Sequence, residues 1–341
     1  MQDSRSASEA SGSRMGGFTF VLLDRFTLLS FAGAVEVLRL ANRASGSTLY
    51  RWQILSVTGE PVQSSVGTVF QPDGGLCSLP PGETVILCGG LDIVHTATPP
   101  LLNWLRREAR RGTRMGALCT ASHVPARAGL LDDRPATIHW ENHAAMAEDF
   151  PNIDLRKSVY VLDGPRFTAA GGTAAIDLML RLVAQDHGES LAAEVADQVI
   201  HPSIRSDQDT QRLSIPTRIG VRHAKLSQVI ERMEANIEEP ISPQVLARDV
   251  GLSTRQLERL FRRYLNRSPK RYYMDLRLQR ARTLLLQTNM TVINVALACG
   301  FTSPSHFSKC YQAQYQVTPY RERGTRRDVA PVQPEGAGES R

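Results

Sequence analysis

The 341-residue chain has no apolar run approaching the ~20 residues that span a bilayer, which excludes a membrane-spanning helix. Its first seventeen residues, rich in Ser, Gly and Ala, lack the apolar core of a signal peptide, so nothing points to secretion and a cytoplasmic location is expected. Cysteine is scarce: five residues, an odd number without paired spacing, fit a reducing compartment better than a disulfide framework. No Cys/His cluster has zinc spacing, and neither a metal nor any other cofactor is expected. Acidic residues are nearly missing from one stretch. From Ile241 to Arg323 there are fourteen Lys and Arg against four Asp and Glu, a net charge of +10, whereas the whole chain carries only +6. Basic charge concentrated in one segment of an otherwise acidic chain is the electrostatic footprint of a duplex-binding module; a merely solvated basic face is the alternative.

That same stretch writes one pattern twice. In the first copy Ser242 and Pro243 open a helix through Val245, Leu246 and Val250, and Gly251 breaks it. Ser253 caps the next helix with Gln256 in the capping-box position, and Leu257, Leu260, Phe261 and Tyr264 form an apolar stripe at helical spacing. The opposite face carries Thr254, Arg255, Glu258, Arg259, Arg262 and Arg263, groups that read a major groove and grip its phosphates. In the second copy Thr291 is the cap, Val292, Val295 and Leu297 are apolar, Gly300 makes the turn, and Ser303 and Pro304 begin a helix with Phe307, Cys310 and Tyr311 as its core stripe. Its outward face offers Ser305, His306, Ser308, Lys309 and Gln312. Between the copies Ser268 and Pro269 start a helix in which Met274, Leu278, Ala281 and Leu285 recur, with Arg277, Arg280 and Arg282 among its polar positions. Helices entering successive major grooves on one face of DNA sit about 34 Å apart, a distance that a rigid connector of about five turns can set. A helix–turn–helix pattern met once is often a packed hairpin; two capped copies fifty positions apart favour DNA binding.

The runs Leu246–Ser253, Gln256–Arg263, Ala296–Phe301, Ser305–Ser308 and Val317–Arg321 resemble the DNA-binding domain of AraC/XylS-type transcription regulators. The resemblance implies an all-α domain with two helix–turn–helix units on adjacent major grooves of double-stranded DNA, usually in an activator, and hence RNA polymerase as a further partner. Base-reading roles then fall on Arg255, Glu258 and Arg259 in the first unit and on Ser305, Ser308 and Lys309 in the second.

From Phe18 to about Ile200 strand-like and helix-like patterns alternate, which predicts an α/β sandwich with a mostly parallel sheet. Phe18–Leu23, Trp52–Val57, Thr84–Leu87 and Arg114–Leu118 read as strands; Phe31–Ala41, Leu101–Arg110 and Ser122–Ala128 read as helices. Ligands of such sheets bind at the carboxyl ends of the strands, so Gly89, Gly90, Cys119 and Thr120 are expected to line one crevice. Cys119 stands between strand and helix with Ala117 and Ala121 around it, as at a nucleophile elbow, where the dipole of the following helix would favour the thiolate. His139 is a candidate partner, although a cysteine and a histidine twenty residues apart are commonly unrelated.

Gly89-Gly90, Gly116–Ala121, Ala128–Asp132, Ala136–Trp140 and Ala170–Asp177 are similar to the PfpI-like branch of the class I glutamine amidotransferase-like superfamily. Joined to an AraC-type tail, the chain resembles the GlxA group of regulators, and the resemblance implies an effector such as arginine, glycine betaine or carnitine. One element of the hydrolase pattern is missing. Where an acid from the first helix would meet the thiol stand Leu28, Leu29 and Ser30, and Glu36 is about two turns further on. The elbow is therefore expected to floor a binding pocket without catalysis, which leaves no catalytic residue; a cysteine hydrolase or amidase with a DNA-binding appendage is the alternative, and an architectural DNA protein a weaker one. Candidate effector contacts are the Gly89 and Gly90 amides, the Cys119 thiol, the Thr120 and Thr173 hydroxyls, His139, and Trp140, which either offers a cation–π face at the rim or packs in the core. Cys77, Cys88, Cys299 and Cys310 read as small core fillers. The expected organisation is a disordered tail (1–17), an effector-sensing and dimerisation domain (18–200), a linker (201–224) marked by Pro202, Pro216 and Gly220, the DNA-binding domain (225–323) and a second disordered tail (324–341). The protein is expected to be a homodimer.

Overall fold

Alternation within single strands sets the architecture of the first half of the chain. In β1 (Gly16–Leu22) Phe18, Phe20 and Leu22 face one apolar cluster, while Val21 and the following Leu23 face another. In β5 (Glu83–Cys88) Ile86 and Cys88 join the first cluster and Val85 and Leu87 the second. A strand buried on both faces needs cover on both, and helices supply it. Leu28–Ser45, Ala174–His187 and Glu189–Gln198 pack on the first face, Pro99–Arg110 and His123–Arg127 on the second. The sheet has six strands in the order β2-β1-β5-β6-β10-β9, with β2 (Tyr50–Leu55), β6 (Arg114–Leu118), β9 (Tyr160–Asp163) and β10 (Arg166–Ala169) completing it. All neighbours are parallel except β9, which runs antiparallel to β10. Two short pairs, β3 (Val62–Gln63) with β4 (Val69–Phe70) and β7 (Pro135–Ala136) with β8 (Asp154–Leu155), stand outside it.

The computed structural model describes residues 16–212, 215–288 and 290–324, which fall into two units divided after Arg212. Of the tails expected to be disordered, residues 1–15 and 325–341 lie outside the described residues. Gly16 and Gly17, assigned above to the first tail, open β1, and the Gly16 amide donates to the Leu49 carbonyl at 2.9 Å. The first part of the expected linker is bound to the first unit. Asp177 is fully buried and draws its partners from this segment: His201 Nε2 at 2.8 Å and the Arg205 backbone and guanidinium at 2.6–3.0 Å. A buried carboxylate left without such partners would carry a penalty of several kcal/mol, so the segment is held rather than slack.

The second unit is helical. Leu226, Val229, Ile230, Met233, Leu246, Leu257, Phe261 and Tyr273 form one core, and Val292, Val295, Ala296, Phe301, Phe307 and Tyr311 are likewise buried around the second copy of the repeat. The caps are those expected from sequence. Ser242 accepts from the Val245 amide, Ser253 and Gln256 close a full capping box, Thr291 accepts from Asn294, and Ser303 accepts from His306. The repeat extends to the turns: the amides of Leu252 and Phe301 each donate at 2.9 Å to the carbonyls of Ala247 and Ala296, and Gly251 and Gly300 both stand at positive φ, 64° and 73°. It continues into third helices, where Ser268 caps Arg271 and Thr318 caps Arg321.

The two turn glycines differ in their surroundings. A Cβ on Gly251 would meet only the end of Lys225 at 3.8 Å, whereas one on Gly300 would lie 2.7 Å from the Ile237 carbonyl and from the Pro240 ring. Gly251→Ala is therefore expected to cost about 1–2 kcal/mol, the left-handed penalty alone. Gly300→Ala is expected to cost distinctly more, because backbone must also move. Thermal unfolding of the two variants measures the difference, and equal losses would contradict it.

Candidate functional site

Two sites arise, one in each unit. In the second unit the helices Thr254–Leu265 and Pro304–Tyr315 bury one stripe each and expose the other. Leu257 and Phe261 are buried, and Arg255, Glu258, Arg259, Arg262 and Arg263 are all exposed. On the second helix Phe307 and Tyr311 are buried, Ser305, His306, Lys309 and Gln312 are exposed, and Ser308 is half-buried. Two readings are corrected here. Cys310 is not a core filler: it is half-buried, with its thiol 3.4 Å from His306 Nε2 one turn earlier. Leu297 is 53% exposed, because Val292, Val295 and Ala296 already fill the inward face of that short helix.

Charge is sorted by position. Three of the four acids of this stretch are neutralised within the fold: Asp249 by Arg232 and Arg248, Asp275 by Arg267 and Arg271, and Glu322 by Arg282. No ion pair among the described residues engages Arg255, Arg259, Arg262, Arg263 or Lys309. The first helix thus presents four arginines and Glu258, and the second presents one lysine among hydroxyls, an amide and an imidazole. Guanidinium groups such as those on the first are the commonest partners of phosphates and guanine edges, and short polar groups such as those on the second can also meet base edges.

The connector Pro269–Gln287 holds both helix–turn–helix copies, and about 28 Å separates its ends at 1.5 Å per residue. Tyr273 joins the first core, and its hydroxyl bonds the Asn236 carbonyl; Tyr272 meets Phe261 edge-on at 5.6 Å. Toward the second helix–turn–helix copy Arg277 donates to the carbonyls of Cys299 (2.8 Å) and Gly300 (2.7 Å), its guanidinium 4.2 Å above the Phe301 ring, and burial lowers its pKa. From sequence Arg277 stood among polar positions; no local signal separates a clamp from a solvated arginine.

In the first unit the register aligns Leu22 with Cys88 and Cys88 with Leu118, so the chain leaves β1, β5 and β6 at one level. Cys119 follows with φ of 63°, the strained backbone of an elbow. Gly89, Gly90 and Thr120 come together beside it as expected, but they are closed on one another. The Gly89 amide donates to Leu118 at 3.4 Å, and the Thr120 hydroxyl donates to the Gly90 carbonyl at 2.7 Å. Both glycines are buried, and a Cβ on Gly89 would lie 2.6 Å from the Ala121 nitrogen, so close packing explains their type. The thiol shares a hydrogen bond with the Thr27 hydroxyl at 3.3 Å, and Gly171 lies directly against it. Thr27 precedes the helix on which an acid was sought; Glu36 is instead exposed and paired with Arg39. Burial pushes the Cys119 thiol above its ordinary value, the Thr27 and Thr120 hydrogen bonds pull it back, and the charge of Glu141 adds to the rise. The dipole expected to favour a thiolate is small, since the α-helix that follows has five residues.

His139 donates its amide to the Cys119 carbonyl at 3.3 Å, and burial lowers the pKa of its ring more than Glu141, 3.8 Å away, raises it. Trp140 is not a core residue: it is 38% exposed, and the Arg212 guanidinium lies 4.7 Å from its ring centre. Thr173 is exposed and accepts from Arg205 at 2.7 Å. Thr27 and Arg205 had no signal in the sequence, since each joins the site from far along the chain; Glu141 stands next to Trp140 and was passed over.

A doubly covered parallel sheet with a cysteine elbow, joined to two capped helix–turn–helix units, defines a class, and the comparisons agree. The chain matches the DJ-1/PfpI family over residues 19–185 and the helix-turn-helix domain family over residues 246–324. It belongs to the AraC-type transcriptional regulators that carry a DJ-1/PfpI domain. It is 47% identical over 304 residues to the HTH-type transcriptional regulator GbdR of Pseudomonas aeruginosa, covering 89% of this chain and 83% of that one. To the regulator CdhR of the same species it is 46% identical over 306 residues, covering 90% and 91%. Among solved structures, an AraC family transcriptional regulator from Pseudomonas putida is 31% identical with a TM-score of 0.50, covering 54% of this chain and all but 1% of that one (99%). No described helix is long and apolar enough to cross a membrane.

Two outcomes follow from this geometry. Arg259→Ala is expected to relax sequence preference at a cost of ~1–3 kcal/mol, and Arg263→Ala to weaken all duplexes alike and lower the salt slope by about one, as titrations at several salt concentrations would read. A slope unchanged in Arg263→Ala removes it from the phosphate contacts. Cys77, expected from sequence to fill the core, is instead exposed, and iodoacetamide at pH 7.5 is expected to label Cys119 at least about tenfold more slowly than Cys77, its rate rising only above the ordinary thiol range of about 8.5. Equal labelling followed by mass spectrometry would contradict a buried, protonated thiol.

Proposed function

We propose that this regulator is an effector-controlled activator of an operon for a small nitrogenous compound, of the arginine, glycine betaine or carnitine class. The effector binds at the carboxyl ends of β1, β5 and β6, near Cys119, His139, Trp140 and Thr173, and is not turned over. It acts as a cytoplasmic homodimer that places both helix–turn–helix units of each copy on double-stranded DNA and engages RNA polymerase there. Arg255, Glu258 and Arg259 read bases in the first groove with Arg262 and Arg263 on phosphates; Ser305, His306, Ser308 and Lys309 serve the second groove.

The observation that carries the non-catalytic reading is the environment of the thiol. Cys119 is 6% exposed, raised in pKa by burial, and paired with a threonine hydroxyl, which takes up no proton at neutral pH. A neutral imidazole at His139 and a buried thiol suit recognition better than attack. The elbow backbone itself, with Cys119 at positive φ, favours the second reading, a cysteine hydrolase or amidase that kept its DNA-binding appendage.

Reporter transcription separates the two. Cys119→Ala is expected to leave effector-dependent transcription within about twofold of the parent, and purified protein to release no ammonia from amides of these compounds. Ammonia release that is lost in Cys119→Ala establishes the hydrolase instead. In thermal denaturation the true effector at 100 times its Kd is expected to stabilise the protein by about 2.7 kcal/mol; absence of any shift with all three compounds contradicts the assigned class.

A further inference from the structure

The run from His201 to Arg212 is bound along the first unit, and its far end lies at the proposed effector crevice. The Gln211 side-chain amide donates to Thr137 Oγ1 at 2.9 Å, the Ile138 carbonyl at 2.9 Å and the Ser158 carbonyl at 3.1 Å, three acceptors for two hydrogens. Its backbone amide donates to Lys157 at 3.3 Å, and Val159 donates to Asp209 at 2.9 Å. Thr137 and Ile138 lead directly into His139 and Trp140. The next residue along the run, Arg212, lays its guanidinium 4.7 Å from the Trp140 ring centre, with that ring still 38% exposed. After Arg212 the chain passes to the second unit.

We propose that the face of Trp140 is a binding site for an organic cation, that Arg212 occupies it in the resting protein, and that an incoming guanidinium or quaternary ammonium group displaces Arg212. The proposal rests on the effector reading above and adds its mechanism. The ring face attracts any soft, delocalised cation, and the chain's own guanidinium demonstrates the fit. A tethered group competes at an effective concentration of about millimolar, so a ligand wins only when its remaining contacts, at His139 and Thr173, add to the shared one. Displacement removes the contact of Arg212 with Trp140, close to where the chain leaves the first unit, and loosens Gln211 beside it. A difference in affinity between held and released states is what converts occupancy into a change of presentation.

The test uses the full chain, with L-arginine as the guanidinium probe and glycine betaine as the quaternary ammonium probe. Calorimetric titration is expected to show at least one of them binding roughly five- to tenfold more tightly to Arg212→Gln than to the parent, since the internal competitor is gone, and not binding to Trp140→Leu. Hydrogen exchange is expected to speed up in residues 205–212 of Trp140→Leu without ligand, and of the parent when saturated. Equal affinity of parent and Arg212→Gln, or unchanged exchange in Trp140→Leu, overturns the displacement while binding that still requires Trp140 preserves the effector reading. Binding retained in Trp140→Leu overturns the cation site and leaves the sensor elsewhere; no binding of either probe to any variant overturns the site and the effector class together.

Discussion

The guanidinium of Arg277, seated on the turn carbonyls of Cys299 and Gly300 and stacked on Phe301, is the contact on which the DNA-binding architecture turns. A helix–turn–helix is a local motif that any short hairpin can approximate. Two of them make one reading head only if the distance and rotation between them are fixed. The connector Pro269–Gln287 does this by placing Tyr272 and Tyr273 against the core of the first helix–turn–helix copy, Arg277 against the turn of the second and Arg282 against the last helix. Internal ion pairing explains how a segment of net charge +10 stays folded. Three of its four acids are paired within the fold, and Arg255, Arg259, Arg262 and Arg263 are gathered with Glu258 on one exposed helix face. Repulsion among them is thereby displaced to the surface, where solvent and salt screen it.

The first unit uses its polar contacts differently. Parallel strands buried on both faces open at their carboxyl ends, and there Cys119 keeps the positive-φ backbone of a nucleophile elbow while its side chain is buried. Thr27 offers a hydroxyl where proton transfer would need an acid, and burial keeps both the thiol and the His139 ring uncharged. Beside this crevice Arg205 bridges Thr173 to buried Asp177, and Gln211 and Arg212 close over Thr137 and Trp140.

What was legible in the sequence is local chemistry. Caps at Ser242, Ser253, Thr291 and Ser303, and the glycine turns at 251 and 300, depend on residues within a few positions of each other, and each stands where its pattern put it. The exposed and buried stripes of the recognition helices follow from period alone. Contacts between distant segments were not legible. Thr27 meets Cys119 across 92 positions and Arg205 meets Asp177 across 28, and nothing near either residue announces its partner. Leu297 misled because an apolar residue at helical spacing on a two-turn helix need not face inward, and Cys310 because a thiol one turn from His306 finds a polar neighbour at the rim. Gly89 and Gly90 were rightly placed beside the thiol; their amides were assigned to a ligand, yet Gly89 donates to Leu118.

The fixed spacing of the two recognition helices is open to direct measurement by methylation-interference and hydroxyl-radical footprinting on a bound operator. A rigid connector requires two protected major-groove patches per DNA-binding unit, about 10 base pairs apart on one face of the duplex. A single patch, or two patches on opposite faces, would contradict the paired reading head.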